Sequence, residues 1–390
     1  MNKSLRFLFK LTALSLVLSG VSCTQANTNQ QDASSESLTE VALDGAPQVT
    51  ASYSVLCDMA EQIAENTIDL TCLIDAGQDP HAYSATPADR RAIEDADLVM
   101  YGGYGFEPEI IQMVEATDTP APKVAISEVA VSQPLLGEAH DHGAHAEGDD
   151  HSEEVHAEGE DHDHGAHAEG DDHSEEAHAE GEDHDHEEHA EGDDHAEGEL
   201  ASDPHVWHDA ENGVAMVKAV QEQLSEVSPE NAELYEANAE NLIAQLEQLD
   251  TWIQSQVDTV PASGRTLIST HEALGYYANA YGLEIEPVLD SFSTEAQPSA
   301  ADVKQLTEVV ESKEVSSIFV ESTSNPGLIE TVSRETDIKV SQDPIYADGL
   351  GEAGTAAASY QGMLIANTCT IVDGLGGTCD RDEAEDLLAD

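Results

Sequence analysis

The stretch from Ser228 to Val257, SPENAELYEANAENLIAQLEQLDTWIQSQV, decides how the rest of the chain is read. Ser228 before Pro229 is a helix start: the serine oxygen takes a free N–H of the first turn, and proline already holds a helical φ. Leu234, Leu242, Leu246, Leu249 and Ile253 then recur at helical spacing and mark one apolar stripe. The pattern predicts a helix of about 30 residues. In a compact protein, a helix that long fits a strut joining two lobes better than a part of either. The competing reading is two packed core helices broken near Asp250.

Both flanks repeat one grammar. Upstream, an amphipathic helix at Ser54–Glu65 precedes a strand at Asp69–Ile74 and the polar loop Ala76 to His81. A capped helix starts at Thr86-Pro87-Ala88-Asp89, and strands follow at Asp97–Tyr101 and Val124–Ile126. A helix from Ala210 to about Glu226 ends this part. Downstream, strands are expected at Thr266–Ser269, Leu283–Leu289, Ser317–Val320 and Ile338–Ser341. Helices alternate with them, starting at His271, Ser299, Leu328 and Thr355. The fold class is α/β: two α/β lobes with small parallel-type sheets, joined by one long helix, with a cleft between them. The expected boundaries are 47–226 for the first lobe, 227–260 for the connecting helix and 261–381 for the second lobe.

The chain has 81 acidic against 13 basic residues, a net charge of -68, which repels phosphate backbones and excludes nucleic acid as a partner. Residues 138–200 hold 27 of the acids and no base. They also hold His140, His142, His145, His151, His156, His162, His164, His167, His173, His178, His184, His186, His189 and His195. The run His145 to His151 recurs at His167 and His189, a period of 22 residues. With almost no apolar face to bury, this repeat reads as a disordered insertion and not a solenoid. One use is weak capture of several metal ions near the cleft; the other is a solvated spacer. Solubility needs carboxylates and not imidazoles, which favours capture.

Residues 1–23 carry Lys3, Arg6 and Lys10, an apolar run from Leu11 to Leu18 and a small-residue end at Cys23, so they read as an export signal. The small residues before Cys23 resemble a bacterial lipoprotein cleavage site, although Gly20 stands where such sites usually carry leucine. Cleavage nearby and a free periplasmic protein is the alternative. Residues 24–46 read as a flexible tether. Cys57, Cys72, Cys369 and Cys379 remain, an even number in an oxidising compartment. Of the three possible connectivities, nearness favours Cys57 with Cys72 and Cys369 with Cys379. Buried free thiols are the other reading.

Four histidines stand outside the insertion: His81, His205, His208 and His271. His81 and His205 share the tripeptide Asp-Pro-His, where proline stiffens the approach and the aspartate can accept a ring hydrogen bond. His271 follows an apolar strand and is expected at the start of a helix. Asp348 lies in a Gly-rich loop after the last strand, where it can supply an oxygen or simply serve a turn. His208 is expected to be solvated or to support a neighbour. Glu321, at a strand end, either approaches the site or holds the backbone, and Trp207 is expected to pack behind His205.

These residues match a known family. Gln78-Asp79-Pro80-His81-Ala82-Tyr83 with Thr86-Pro87, Asp97-Leu98-Val99, Asp203-Pro204-His205-Val206-Trp207, His271-Glu272-Ala273-Leu274-Gly275-Tyr276, Phe319-Val320-Glu321 and Asp348-Gly349-Leu350 carry the likeness. Over roughly residues 48–375 outside the insertion, the chain resembles the periplasmic metal-binding proteins of zinc and manganese ABC transporters, most closely the zinc-specific branch. The resemblance implies a metal between the lobes, held by His81 and His205 from the first and His271 and Asp348 from the second. It also implies zinc, because manganese relatives carry glutamate at the third place, and a His-rich insertion is a zinc-branch feature. In some members a water stands in for the aspartate.

Three imidazoles and one carboxylate independently suit four-coordinate Zn2+, while Mn2+ prefers more oxygen. The expected function is capture of Zn2+ in the periplasm and delivery to an ABC permease, by a monomer whose membrane contact is its N-terminal lipid. The alternatives are a manganese or iron binder of the same family and a His-rich zinc buffer. A zinc hydrolase would need an open coordination position and a base such as Glu272 or Glu321, and no His-Glu-x-x-His pattern is present.

Overall fold

A computed structural model describes residues 45–138, 200–287, 291–295, 300–312 and 315–389. Cys23, the tether up to residue 44 and the fourteen insertion histidines lie outside the described residues.

The first lobe opens with β1 (Gln48–Tyr53), which runs directly into α1 (Ser54–Ala64). Then come β2 (Asp69–Ile74), α2 (Pro87–Asp95), β3 (Leu98–Tyr101), α3 (Pro108–Ala116), β4 (Lys123–Ala125) and α4 (Ile126–Ala130). The strands form one parallel sheet in the order β2-β1-β3-β4, with Ala51 opposite both Cys72 and Met100. β1 is therefore central, and Val49, Ala51 and Tyr53 are buried in it. α2 starts where expected: Thr86 accepts from the Ala88 and Asp89 N–H groups, and Asp89 reaches back to the Thr86 N–H.

β5 (Leu136–Glu138) and β6 (Leu200–Ser202) form an antiparallel ladder that brackets the insertion. After α5 (Ala210–Val227), capped by Asp209, comes α6 (Ala232–Val257). It is one unbroken helix of 26 residues, entered through a tight turn at Pro229–Asn231. Ser228 does not cap it as expected: its hydroxyl caps no backbone N–H and instead accepts from the Asn231 side-chain amide at 2.8 Å. No break occurs at Asp250, whose carboxylate instead accepts from the Tyr281 hydroxyl at 3.0 Å. Leu242, Leu246, Leu249 and Ile253 are buried, each stabilising the fold by about 1.5–3 kcal/mol. α6 packs against α1 and α5 of the first lobe and also against α10 (Tyr360–Gly374) of the second. Its stripe is thus core to both.

The second lobe comprises β7 (Thr266–Leu267), α7 (Gly275–Tyr281), β8 (Glu284–Ile285), α8 (Ala300–Ser312), β9 (Ser317–Ile318), α9 (Gly327–Thr336) and β10 (Lys339–Val340), closed by α10 and α11 (Arg381–Ala389). β7 pairs with β8 and β9 with β10, both parallel, and the Phe319 N–H donates to the Ile268 carbonyl between the pairs. Both expected disulfides, Cys57–Cys72 and Cys369–Cys379, are formed.

Several expectations are corrected. β1, α3, α4, α11 and the β5–β6 ladder add to the expected elements, Ile126 opens α4 and does not end a strand, and the second-lobe strands are only two residues long. His271 is not at a helix start, because α7 begins at Gly275. The Ser269 hydroxyl and the Ala273 N–H both bind the His271 carbonyl, while Glu321 takes the Thr270 and His271 N–H groups, so local bonding competes with the helix. The last long helix begins at Tyr360 and not Thr355, where Ser359 caps it and Asp58 accepts the Tyr360 N–H at 2.8 Å.

Candidate metal centre

His81 lies in the loop after β2, where Asp79 Oδ1 accepts the His81 N–H at 3.0 Å. His205 repeats the arrangement, its N–H donating to Asp203 Oδ1 at 2.9 Å. The two Asp-Pro-His turns then differ. Asp203 Oδ1 also lies 2.9 Å from His205 Nδ1, whereas Asp79 turns its second oxygen outward to accept from the Thr294 hydroxyl at 2.6 Å. From the second lobe, His271 Nδ1 sits 2.6 Å from Glu321 Oε2, and Glu321 Oε1 accepts the Thr270 and His271 N–H groups at 2.9 and 3.1 Å. Carboxylates only accept when ionised, so both rings carry the proton on Nδ1 and leave Nε2 for the centre.

The three Nε2 atoms converge on Asp348 Oδ1, at 3.4 Å from His81, 3.4 Å from His205 and 3.1 Å from His271. His81 and His205 Nε2 are 3.3 Å apart. One donor atom from each of the four residues falls within 4.8 Å of every other. A tetrahedral ion with bonds of about 2.0–2.1 Å requires donor spacings of about 3.3–3.4 Å, so this arrangement fits one divalent cation. His271 Nε2 and Asp348 Oδ1 are buried and make no hydrogen bond despite their proximity, which means they face a common point and not each other.

His205, His271 and Asp348 are completely buried and His81 nearly so. The Phe106 ring stands edge-on to His81 and His205 at 5.0 and 5.6 Å, and Trp207 to His205 at 5.5 Å, as expected for Trp207. Burial pulls the His81 pKa below its ordinary value, against opposition from Asp348. Burial acts on His205 and His271 in the same sense but is outweighed, by Asp203 and Asp348 for the first and by Glu321 and Asp348 for the second, which is held well above the usual range. Burial acts to raise Asp348, yet His271 above all, with His205 and His81 close beside it, holds it well below the carboxylate range. The centre is therefore a charge-poised set of bases around one anion, ready to exchange a proton for a cation.

His208 is buried and not solvated, and it is not among the converging atoms: its Nε2 donates to the Ala347 carbonyl at 2.7 Å, and burial pushes its pKa down to about 3. Glu321 supports His271, accepting also from the Ser324 hydroxyl at 2.7 Å. Asp348 Oδ2 accepts from Thr323. Sequence reasoning misses Phe106 and Thr323. Phe106 follows a Gly-rich run, Gly102 to Gly105, whose only legible signal is a turn.

Known proteins share this arrangement of lobes. Residues 49–374 match the family model for zinc-uptake complex component A periplasmic. Among curated proteins, the chain is 26% identical over 328 residues to the manganese-binding lipoprotein MntA of Halalkalibacterium halodurans, covering 84% of this chain and 88% of the relative. It is 26% identical over 341 residues to the zinc-binding protein TroA of Treponema pallidum, covering 86% and 91%. The solved structure of the periplasmic zinc-binding protein TroA superposes with a TM-score of 0.66 at 25% identity, covering 85% of this chain and 99% of that one. The Mn-bound periplasmic metal-binding protein of Candidatus Liberibacter asiaticus shares the fold, with a TM-score of 0.62 at 19% identity over 84% and 98%. These relatives are binding proteins and not enzymes, and no helix among the described residues is long and apolar enough to cross a membrane. The chain belongs to the zinc-uptake complex component A family, the substrate-binding proteins of metal ABC transporters.

Proposed function

We propose that this protein captures Zn2+ in the periplasm through His81, His205, His271 and Asp348 and delivers it to the permease of an ABC importer. The carrying observation is the donor set itself: three imidazole nitrogens and a single carboxylate oxygen at tetrahedral spacing, in a buried pocket walled by Phe106 and Trp207. That set suits Zn2+, whereas Mn2+ is better served by more oxygen. The His-rich insertion is proposed as an accessory that concentrates metal near the centre, and Cys23 as the lipid-bearing residue. Manganese is the second reading, supported by manganese-binding relatives such as MntA.

The test removes residues 139–199 while keeping the β5–β6 ladder, then titrates Zn2+ against a chromophoric chelator with Mn2+ as competitor. One tight ion per chain, lost in His81→Ala or His271→Ala and not displaced by equimolar Mn2+, is the expected result. Displacement by Mn2+ would move the assignment to manganese. Absence of any tight site would leave the insertion as the metal-binding part.

A further inference from the structure

His208 is a buried histidine that the four-donor centre does not use, and its place in the chain is unusual. It follows the ligand His205 by three residues, at the end of the short turn Val206–His208, and its Nε2 lies 2.7 Å from the carbonyl of Ala347, the residue before Asp348. A carbonyl only accepts, so Nε2 carries the proton and donates. One side chain thus joins the segment bearing a first-lobe ligand to the loop bearing the second-lobe carboxylate, along a path that bypasses the metal.

The rest of that loop is held the same way. The Leu350 N–H donates to the Ser54 hydroxyl at 2.9 Å, and the Leu350 carbonyl accepts the Gly77 N–H at 3.0 Å. A Cβ on Gly349 would stand 2.7 Å from the Ser54 oxygen, so only glycine permits this approach. Asp348 therefore sits in a loop covalently part of the second lobe but fastened to the first. Of the three fasteners, His208 is the nearest in sequence to both a histidine ligand and the carboxylate.

Building on the metal reading above, we infer that His208 is a positioning residue that latches the Asp348 loop to the first lobe and so sets how long the metal is retained. Breaking the latch leaves a buried carbonyl without its donor and removes one of the three bonds from the first lobe, so that Asp348 can shift with Thr323, its second-lobe partner, while the three imidazoles stay in place. The consequence falls on release more than on capture.

The experiment measures zinc release from the full-length chain into excess chelator, followed by tryptophan fluorescence in a Trp252→Phe background, which leaves Trp207, whose ring lies 5.5 Å from that of His205, as the one reporter. His208→Gln places an amide N–H where Nε2 stood, while His208→Asn and His208→Leu do not reach or cannot donate. The expected result is release about tenfold faster in His208→Asn and His208→Leu, and within about twofold of wild type in His208→Gln. In an Asp348→Ala background, the His208 substitutions should add no further acceleration, because the latch acts through that carboxylate. Wild-type release in His208→Asn overturns the inference, as does equal acceleration with and without Asp348, which would mark general loosening. A wild-type chain without any zinc-dependent signal overturns the metal reading itself, and the latch with it.

Discussion

His205 and His271 come from opposite lobes yet are held alike, each ring fixed at Nδ1 by a buried carboxylate, Asp203 or Glu321, with Nε2 turned to Asp348. His81 is held differently. Its Asp-Pro-His turn has the same sequence as that of His205, but Asp79 gives its second oxygen to Thr294 across the cleft. Identical tripeptides thus give one oriented ring and one ring whose position depends on contact between lobes. Two of the proposed ligands are oriented within their own lobes, and the third depends on the contact between lobes.

The contrast can be broken first at the ligands: His271→Ala should weaken zinc binding by more than about a hundredfold in a chelator competition, exceeding the loss from any supporting residue. Glu321→Gln should weaken it by about thirtyfold to a hundredfold, since Glu321 also fixes two backbone N–H groups. A contrasting buried carboxylate is Glu107, which accepts from Ser52 and the Gly102 N–H but has no histidine partner, and which burial raises to about 7. Its folded state holds the proton more tightly than the unfolded chain, so stability falls as pH rises from the ordinary carboxylate range through 7. Glu107→Gln should therefore be more stable than wild type by about 3 kcal/mol at pH 8 in urea unfolding, with the difference vanishing near pH 4, and zinc affinity unchanged. Asp203→Asn should cost about tenfold in affinity, less than Glu321→Gln because Asp203 holds fewer groups. The smallest effect is expected from Thr294→Val, about twofold to threefold, appearing as faster release; an effect as large as that of Asp203→Asn would mean that His81 is oriented as firmly as the other two rings.

Much of this molecule is legible in its amino-acid sequence. The alternation of strands and helices, the long apolar stripe of α6 and the punctuation by Thr86-Pro87 reflect local signals, and they survive packing. The four converging residues stand out because three histidines and a loop aspartate fall at strand ends. What stays hidden depends on long-range contact. β1 alternates polar and apolar residues from Gln48 to Tyr53, but its central place comes from pairing with both β2 and β3, which buries Thr50 and Ser52 as well as Val49, Ala51 and Tyr53. The role of Glu321 requires knowing that residue 321 lies beside residue 271, and the split behaviour of the two Asp-Pro-His turns requires Thr294. His208 reads only as a supporting or solvated group, because nothing local signals the Ala347 carbonyl 139 residues away.

The central proposal is that one zinc ion binds between the lobes on three imidazole nitrogens and one carboxylate oxygen. The most direct test is anomalous diffraction at the zinc edge from crystals of the zinc-loaded protein. A single strong peak is predicted, within about 2.0–2.2 Å of Nε2 of His81, His205 and His271 and of Oδ1 of Asp348. A peak elsewhere, or an ion there bound without His271 or Asp348, would contradict it.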